Sequence, residues 1–428
     1  MNRYYSSLAL VAVPVLILLL NSQRRKKQIA EKMSETEPKT IVIVGGSYAG
    51  IGVAQGLLKQ LRNSNVKIIL VNPSDLFFFN VASPRVFAKP DAFAQEKYIF
   101  SIPEVFAQQA SRRFELVLGK ATAIDSDGKR VTVVENEDSS ATTAKHIAYD
   151  YLVIASGTTT QSTIGSDSLN VPFKPSGPKL LSEIKDAQAT LKDAKSVIIG
   201  GAGPVGVEFA GELAEAFAAD KKQTAHITIV SATEKVLPGI KPAGQACAEK
   251  ILKSKGVKII SGTRVVQSAE DATTKRWTVS LSNGETLTAD AYVSAIGVLP
   301  NNDFIPSSFL NDDGFVPVDD QFRVQTATTK TIAPGIYALG DITHHPYRVV
   351  ARLPPQISAV VTNLKSDILG SGKRATGYDQ TKDIFMLIVP VGKGQGTGQL
   401  GPWTAPSFLV SFFKGQDFLT GRAKGMLQ

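Results

Sequence analysis

Ile41-Val42-Ile43-Val44-Gly45-Gly46-Ser47-Tyr48-Ala49-Gly50 and Val197-Ile198-Ile199-Gly200-Gly201-Ala202-Gly203-Pro204-Val205-Gly206 follow one pattern, a buried-strand run that enters a glycine-rich turn. A dinucleotide pyrophosphate needs such a turn: a tight bend after a strand, backbone without a Cβ in the way, and a helix N-terminus aimed at its charge. The second turn meets all three needs. Gly201 makes the bend, Gly203 permits close approach and Gly206 lets the helix pack on the strand, with Ala202, Pro204 and Val205 between them. The first turn has Gly45 and Gly50 at its outer positions and Gly46 to open it, but Ser47 stands in the middle. A serine hydroxyl can itself donate to a phosphate, so Gly45, Gly46, Ser47, Tyr48, Ala49 and Gly50 remain the expected contacts. Two such turns in one chain point to two dinucleotides held face to face, with electrons passing between them.

The acid that usually follows such a turn and grips the ribose hydroxyls is missing twice. The strand Val66–Val71 ends at Asn72, which accepts a ribose hydrogen bond without a carboxylate's charge. The strand Ile227–Val230 ends at Ser231, where a 2′-phosphate would meet no repulsion and Lys235 is near enough in sequence to meet it. NADPH and NADH are therefore equally expected.

Three further segments complete a set: Tyr151-Leu152-Val153-Ile154-Ala155-Ser156-Gly157-Thr158, Tyr292-Val293-Ser294-Ala295-Ile296-Gly297, and Gly335-Ile336-Tyr337-Ala338-Leu339-Gly340-Asp341. In this order they resemble the two-dinucleotide flavoprotein reductases, over roughly residues 39 to 390. Within that superfamily the chain is similar to the apoptosis-inducing-factor-2 group, the ferroptosis-suppressor-like NAD(P)H:quinone oxidoreductases. The likeness rests on Asn80-Val81-Ala82-Ser83-Pro84-Arg85 and on the ending Phe412-Phe413-Lys414-Gly415-Gln416-Asp417-Phe418-Leu419. Type II NADH dehydrogenases share the plan.

The resemblance implies FAD on the first turn and NADH or NADPH on the second. It also implies Arg85 on the flavin nucleotide, Ala121 against the adenine side through its backbone, and Asp341 on the ribityl chain. Gln356, after Leu353-Pro354-Pro355, is expected at the flavin's pyrimidine edge. Hydride would pass from the nicotinamide to the flavin, and electrons from there to a quinone. Glu208, on the helix after the second turn, is the candidate for positioning nicotinamide or quinone; Glu212 lies farther from the turn.

Composition narrows the chemistry. The chain has 428 residues, 43% of them hydrophobic, enough for two or three cores. Alternating helix and strand patterns predict α/β layers: two Rossmann-like three-layer domains, the nicotinamide one inserted into the flavin one. The single cysteine, Cys247, excludes the intramolecular redox disulfide that related reductases use, so electrons leave the flavin directly for an acceptor. None of His146, His226, His344 and His345 has ligand spacing, and no metal site is expected.

The ends carry a different message. Leu8 to Leu20 is an unbroken apolar run followed by Arg24-Arg25-Lys26-Lys27, and Tyr4 to Leu20 as a helix would reach about 25 Å. This predicts an N-terminal membrane anchor with the large domain on the cytosolic side. A cleaved signal peptide is the alternative. The mitochondrial outer membrane suits so short an anchor, with the endoplasmic reticulum the other choice. The net charge is +9, and its excess sits at the ends: six basic and three acidic side chains in residues 1–38, four and one in residues 391–428. The last stretch mixes Trp403, Phe408, Leu409, Val410, Phe412 and Phe413 with Lys414, Arg422 and Lys424, as an interfacial segment would. The weak charge of the middle argues against strong nucleic-acid binding.

The predicted plan is anchor 1–22, polar linker 23–38, FAD-binding 39–160 and 291–375, NAD(P)H-binding 161–290, and a C-terminal interface region 376–428. Two rivals stand beside it: a reductase of a soluble or protein acceptor, and a redox-sensing pro-apoptotic signalling flavoprotein.

Overall fold

The computed structural model describes residues 37–135, 144–220, 226–344, 348–372, 374, 377–378 and 384–427. The predicted anchor and nearly all of the linker lie outside the described residues. Among the described residues no helix is long and apolar enough to cross a membrane.

The first quoted run is strand β1 (Lys39–Val44), and its turn feeds helix α1 (Tyr48–Gln60). The chain continues through β2 (Val66–Asn72), the short helix α2 (Ser83–Ala88), β3 (Phe114–Asp125), β4 (Arg130–Glu135), β5 (Ala144–Ala148) and β6 (Tyr151–Ile154). The second run is β7 (Ser196–Gly200), followed by α3 (Pro204–Ala219), β8 (His226–Val230), α4 (Pro242–Ser254), β9 (Lys258–Ile260) and β10 (Ala291–Ser294). Then β11 (Arg323–Gln325) and β12 (Ile332–Ala338) return to the first sheet, and helix α5 (Leu353–Leu369) follows. Last comes a hairpin, β13 (Met386–Pro390) and β14 (Gly396–Leu400).

The first sheet has the order β11-β12-β6-β1-β2-β3-β4-β5, and the second β9-β8-β7-β10. In each, the glycine-turn strand is central and parallel to both neighbours: β1 between β2 and β6, β7 between β8 and β10. Such a strand buries both faces, which is why its sequence is a continuous apolar run. Alternation assigns the faces. Ile41 and Ile43 join Ile68 and Leu70 in the core shared with α1 and α5. Val42 and Val44 join Ile69 and Val71 on the other side.

That other side corrects one expectation. The third layer over the first sheet is not helical: β3 leaves β2 and curls round into β4 and β5, whose Ile124, Val131, Val133 and Ile147 close the face with Phe304 and Phe309. The second sheet is similar. Val197 and Ile199 lie in the core beside Val207, Leu213 and Ala248 of α3 and α4, while Ile198 and Tyr292 pack on Trp277, Val279 and Leu281 of a three-stranded antiparallel sheet. The strand order reverses at β1 and at β7, so both turns open where a crevice must form.

Candidate functional site: one cleft between two glycine turns

A single cleft of about 1400 Å³ runs from the first turn, past the ends of β2, β6 and β12, to the start of α3 and the C-terminal hairpin. At the first turn, Gly45 has φ +114°, and a Cβ there would run into the Ala155 carbonyl. The Gly45 amide donates to the Val71 carbonyl at 2.9 Å. Gly46, Ser47, Tyr48 and Ala49 also line the cleft. Ser47 is the N-cap of α1 in extended conformation, yet its side chain makes no capping bond, and α1 has no acid in its first turn. The helix's positive end is therefore left facing the cleft.

Asn72 lines the cleft too, but as a clamp. Its Oδ1 accepts the Gly46 amide at 2.8 Å and its Nδ2 donates to the Ser74 carbonyl at 2.6 Å. The amide that replaces the usual acid thus braces the turn itself.

The second turn repeats the frame. Gly201 has φ +106°, and a Cβ there would stand 2.6 Å from the Ala295 carbonyl oxygen; in front of Gly203 the space is open. Gly206 lies against the Gly201 carbonyl, and Ala202 anchors the turn by accepting the Leu237 amide at 2.8 Å. Pro204, Val205 and Glu208 reach the cleft from this side. A glycine cradle, two free helix N-termini and a long shared cleft are what two stacked dinucleotides require, so the residues present fit the pair of cofactors.

Of the remaining expectations, Ala121 and Asp341 line the cleft. The Asp341 carboxylate accepts from Lys174 Nζ at 2.5 Å and from the Thr158 hydroxyl at 3.3 Å. Lys174 belongs to the segment crossing between the two sheets, and nothing in its sequence context singled it out.

Four residues stand elsewhere than expected. Arg85 is neither at the cleft nor solvated: it is 3% exposed, with its guanidinium held by the Glu212 carboxylate through two 2.8 Å bonds. Gln356 is buried behind the cleft, where its Oε1 accepts the Gly340 amide at 3.1 Å. Ser231 is buried with its hydroxyl turned to Thr233 and to the Lys235 carbonyl. Lys235 is exposed and paired with Glu249 at 3.4 Å instead of facing the turn.

Glu208 gains a partner that sequence reasoning missed. Lys414, expected among the interfacial cations, comes from the C-terminal helical segment and places its Nζ 2.6 Å from Glu208 Oε1. Both groups line the cleft, beside Met386, Ile388, Phe413 and Leu419. Glu208 is 4% exposed. Burial pushes its carboxyl up to about 7, against the opposing pull of the Lys414 charge. A carboxyl in that range exchanges a proton at neutral pH, a condition for general acid work.

Residues 39–361 match the family model for pyridine nucleotide-disulphide oxidoreductases. The chain belongs to the pyridine nucleotide-disulphide oxidoreductase family. Oxidoreductase ptaL of Pestalotiopsis fici is 35% identical over 394 residues, covering 90% of this chain and 98% of that protein. Ferroptosis suppressor protein 1 of Xenopus tropicalis is 24% identical over 411 residues, 92% of this chain and 97% of that one. Among solved structures, the sulfide:quinone oxidoreductase of Aquifex aeolicus shares the fold, with a TM-score of 0.68 at 18% identity over 91% of this chain and 92% of that chain.

This family member is a pyridine-nucleotide-dependent flavoprotein oxidoreductase that uses FAD with NADH or NADPH. It departs from the family's name. With one cysteine it has no intramolecular disulfide to reduce, and Cys247 lies half-buried on α4, its Sγ 3.9 Å from the Gly396 carbonyl oxygen.

Proposed function

We propose that this oxidoreductase carries electrons from NAD(P)H to a quinone-type acceptor at a membrane surface. The observation that carries the reading is the Glu208–Lys414 pair at the apolar end of the cleft. When bound, FAD would supply the two-electron redox chemistry between nicotinamide and acceptor. The chain does the rest. The turn at 45–50, braced by Asn72, would hold FAD together with Ala121 and Asp341, and the turn at 201–206 with the region after Ser231 would hold the nicotinamide nucleotide. A quinone that takes up two electrons also takes up two protons, and the hydride brings only one. Glu208 gives the second proton to the acceptor oxygen, Lys414 steadies the carboxylate left behind, and solvent restores the proton.

The membrane reading rests on exposed aromatics. Trp403, Phe408 and Phe412 are 75%, 71% and 73% exposed, on the same C-terminal region as the cationic Lys393 and Lys424. The apolar run Leu8–Leu20 adds a second attachment in the sequence. With the basic cluster after it, this gives an anchored enzyme facing the cytosol, on the mitochondrial outer membrane. The division into FAD-binding 39–160 and 291–375, NAD(P)H-binding 161–290 and interface 376–428 belongs to the same proposal.

Purified protein with its flavin bound should oxidise NADH or NADPH when a short-chain quinone is added. A flavin-loaded protein that reacts with soluble one-electron acceptors but with no quinone in a panel would overturn the reading.

A further inference from the structure

Outside the cleft, Arg85 ties together three separate parts of the chain: its own helix, α3 and the C-terminal segment. It stands on α2. Its Nε and Nη2 hold both oxygens of Glu212 on α3, each at 2.8 Å. Its Nη1 donates to the Gln416 carbonyl at 2.8 Å and its Nη2 to the Gly415 carbonyl at 2.7 Å. Its guanidinium lies over the Phe418 ring at 4.7 Å, and Lys414 Nζ lies over the same ring at 5.4 Å. The two carbonyls belong to the residues immediately after Lys414. Glu212 is four residues after Glu208, one turn along the same face of α3.

We propose that Arg85 is a positioning residue for the acceptor half-reaction: by gripping the backbone at Gly415 and Gln416 while braced on Glu212, it sets Lys414 on Glu208. This rests on the acid role of Glu208 given above. A flat guanidinium with five donors in a fixed fork can hold a carboxylate and two carbonyls at once; an ammonium cannot. An ion pair serving stability alone would need only Glu212, and Glu212 already has a second cation, Lys89 Nζ at 2.8 Å. The grip on the backbone is what that role leaves unexplained. The charged groups that act on Glu208 are Lys414 from the C-terminal segment, Glu212 on its own helix and Arg85 from α2.

The test is Arg85→Lys, which keeps a cation beside Glu212 and removes the fork. The variant should bind FAD and accept hydride from NAD(P)H as the parent does. Reoxidation by quinone should slow by about tenfold, and its pH limb should move up by about one pH unit as Lys414 slackens its hold on Glu208. Arg85→Lys in a Lys414→Met background should add nothing to Lys414→Met alone, because one acts through the other. If Arg85→Lys does not accumulate as folded protein, Phe418→Leu, which removes the ring beneath both cations, should move the limb in the same direction. A folded, flavin-loaded variant whose limb stays in place, or whose effect adds fully to that of Lys414→Met, overturns the assignment of Arg85. A parent enzyme that shows no such limb overturns the acid role of Glu208 instead.

Discussion

Glu208→Gln is the sharpest perturbation of the proposed chemistry, because it keeps the shape of the side chain while removing its proton exchange and the charge that pairs with Lys414. In the parent the carboxyl titrates at about 7, raised from an ordinary 4.5 by burial. The sign follows directly. Below pH 7 the group is mostly protonated and can donate; above pH 7 it is mostly carboxylate and cannot. With one group in control, the protonated fraction is about one half at pH 7 and about one tenth at pH 8, and it falls about tenfold with each further unit. Reoxidation of the reduced enzyme by quinone, followed in a stopped-flow instrument by the return of flavin absorbance, should fall along that curve. General acid catalysis is typically worth about a hundredfold or more, so Glu208→Gln should slow this half-reaction by at least that factor and flatten its pH profile. Reduction by NAD(P)H, in which no proton is donated by the protein, should change by less than about threefold. A Glu208→Gln enzyme that reoxidises at the parent rate with the parent pH profile would rule out Glu208 as the proton donor.

Further outcomes are expected at the turns and on the surface. Gly45→Ala and Gly201→Ala each place a Cβ against a carbonyl at a φ that side chains avoid. The first should emerge without FAD; the second should keep its flavin spectrum yet lose NAD(P)H titration, as absorbance and calorimetry would show. Replacing Trp403, Phe408 and Phe412 together by Ser should abolish sedimentation with anionic vesicles of a protein lacking residues 1–36 and leave turnover with water-soluble quinones intact. Unchanged vesicle binding would remove the case for that surface.

The sequence carried the fold where one physical rule was enough. A strand buried on both faces must read as an unbroken apolar run, and Ile41–Val44 and Val197–Ile199 do. A bend with positive φ must be glycine, and Gly45 and Gly201 are. The curled third layer of the first sheet was not legible, because β3 is a single twelve-residue strand that serves as a parallel partner in its first half and an antiparallel one in its second. The misplaced residues share another cause. Arg85 was set in the cleft by the family resemblance and Gln356 by its place after Leu353-Pro354-Pro355, but a long polar side chain can turn either way, and both turned inward to satisfy buried groups: Arg85 the carboxylate of Glu212, Gln356 the amide of Gly340. Glu208 was found because it lies close to a turn that could be recognised. Lys414 lies 206 residues away, and no periodicity links the two.

Helix α3 brings a constraint of its own. Its N-terminus frames the second turn, Glu208 faces the cleft, Gly211 lies so close to the backbone of Val391 and Gly392 that a Cβ would not fit, Glu212 receives Arg85, and Glu215 accepts the Lys393 amide at 2.9 Å. One residue inserted before Glu208 would turn everything after it by about 100° relative to the cradle, breaking each of these contacts together. Over evolutionary time the loops of this protein are free to lengthen and shorten, but α3 can change only residue for residue. Its length between Gly203 and Glu215 should therefore be the same in any descendant that still performs the reaction.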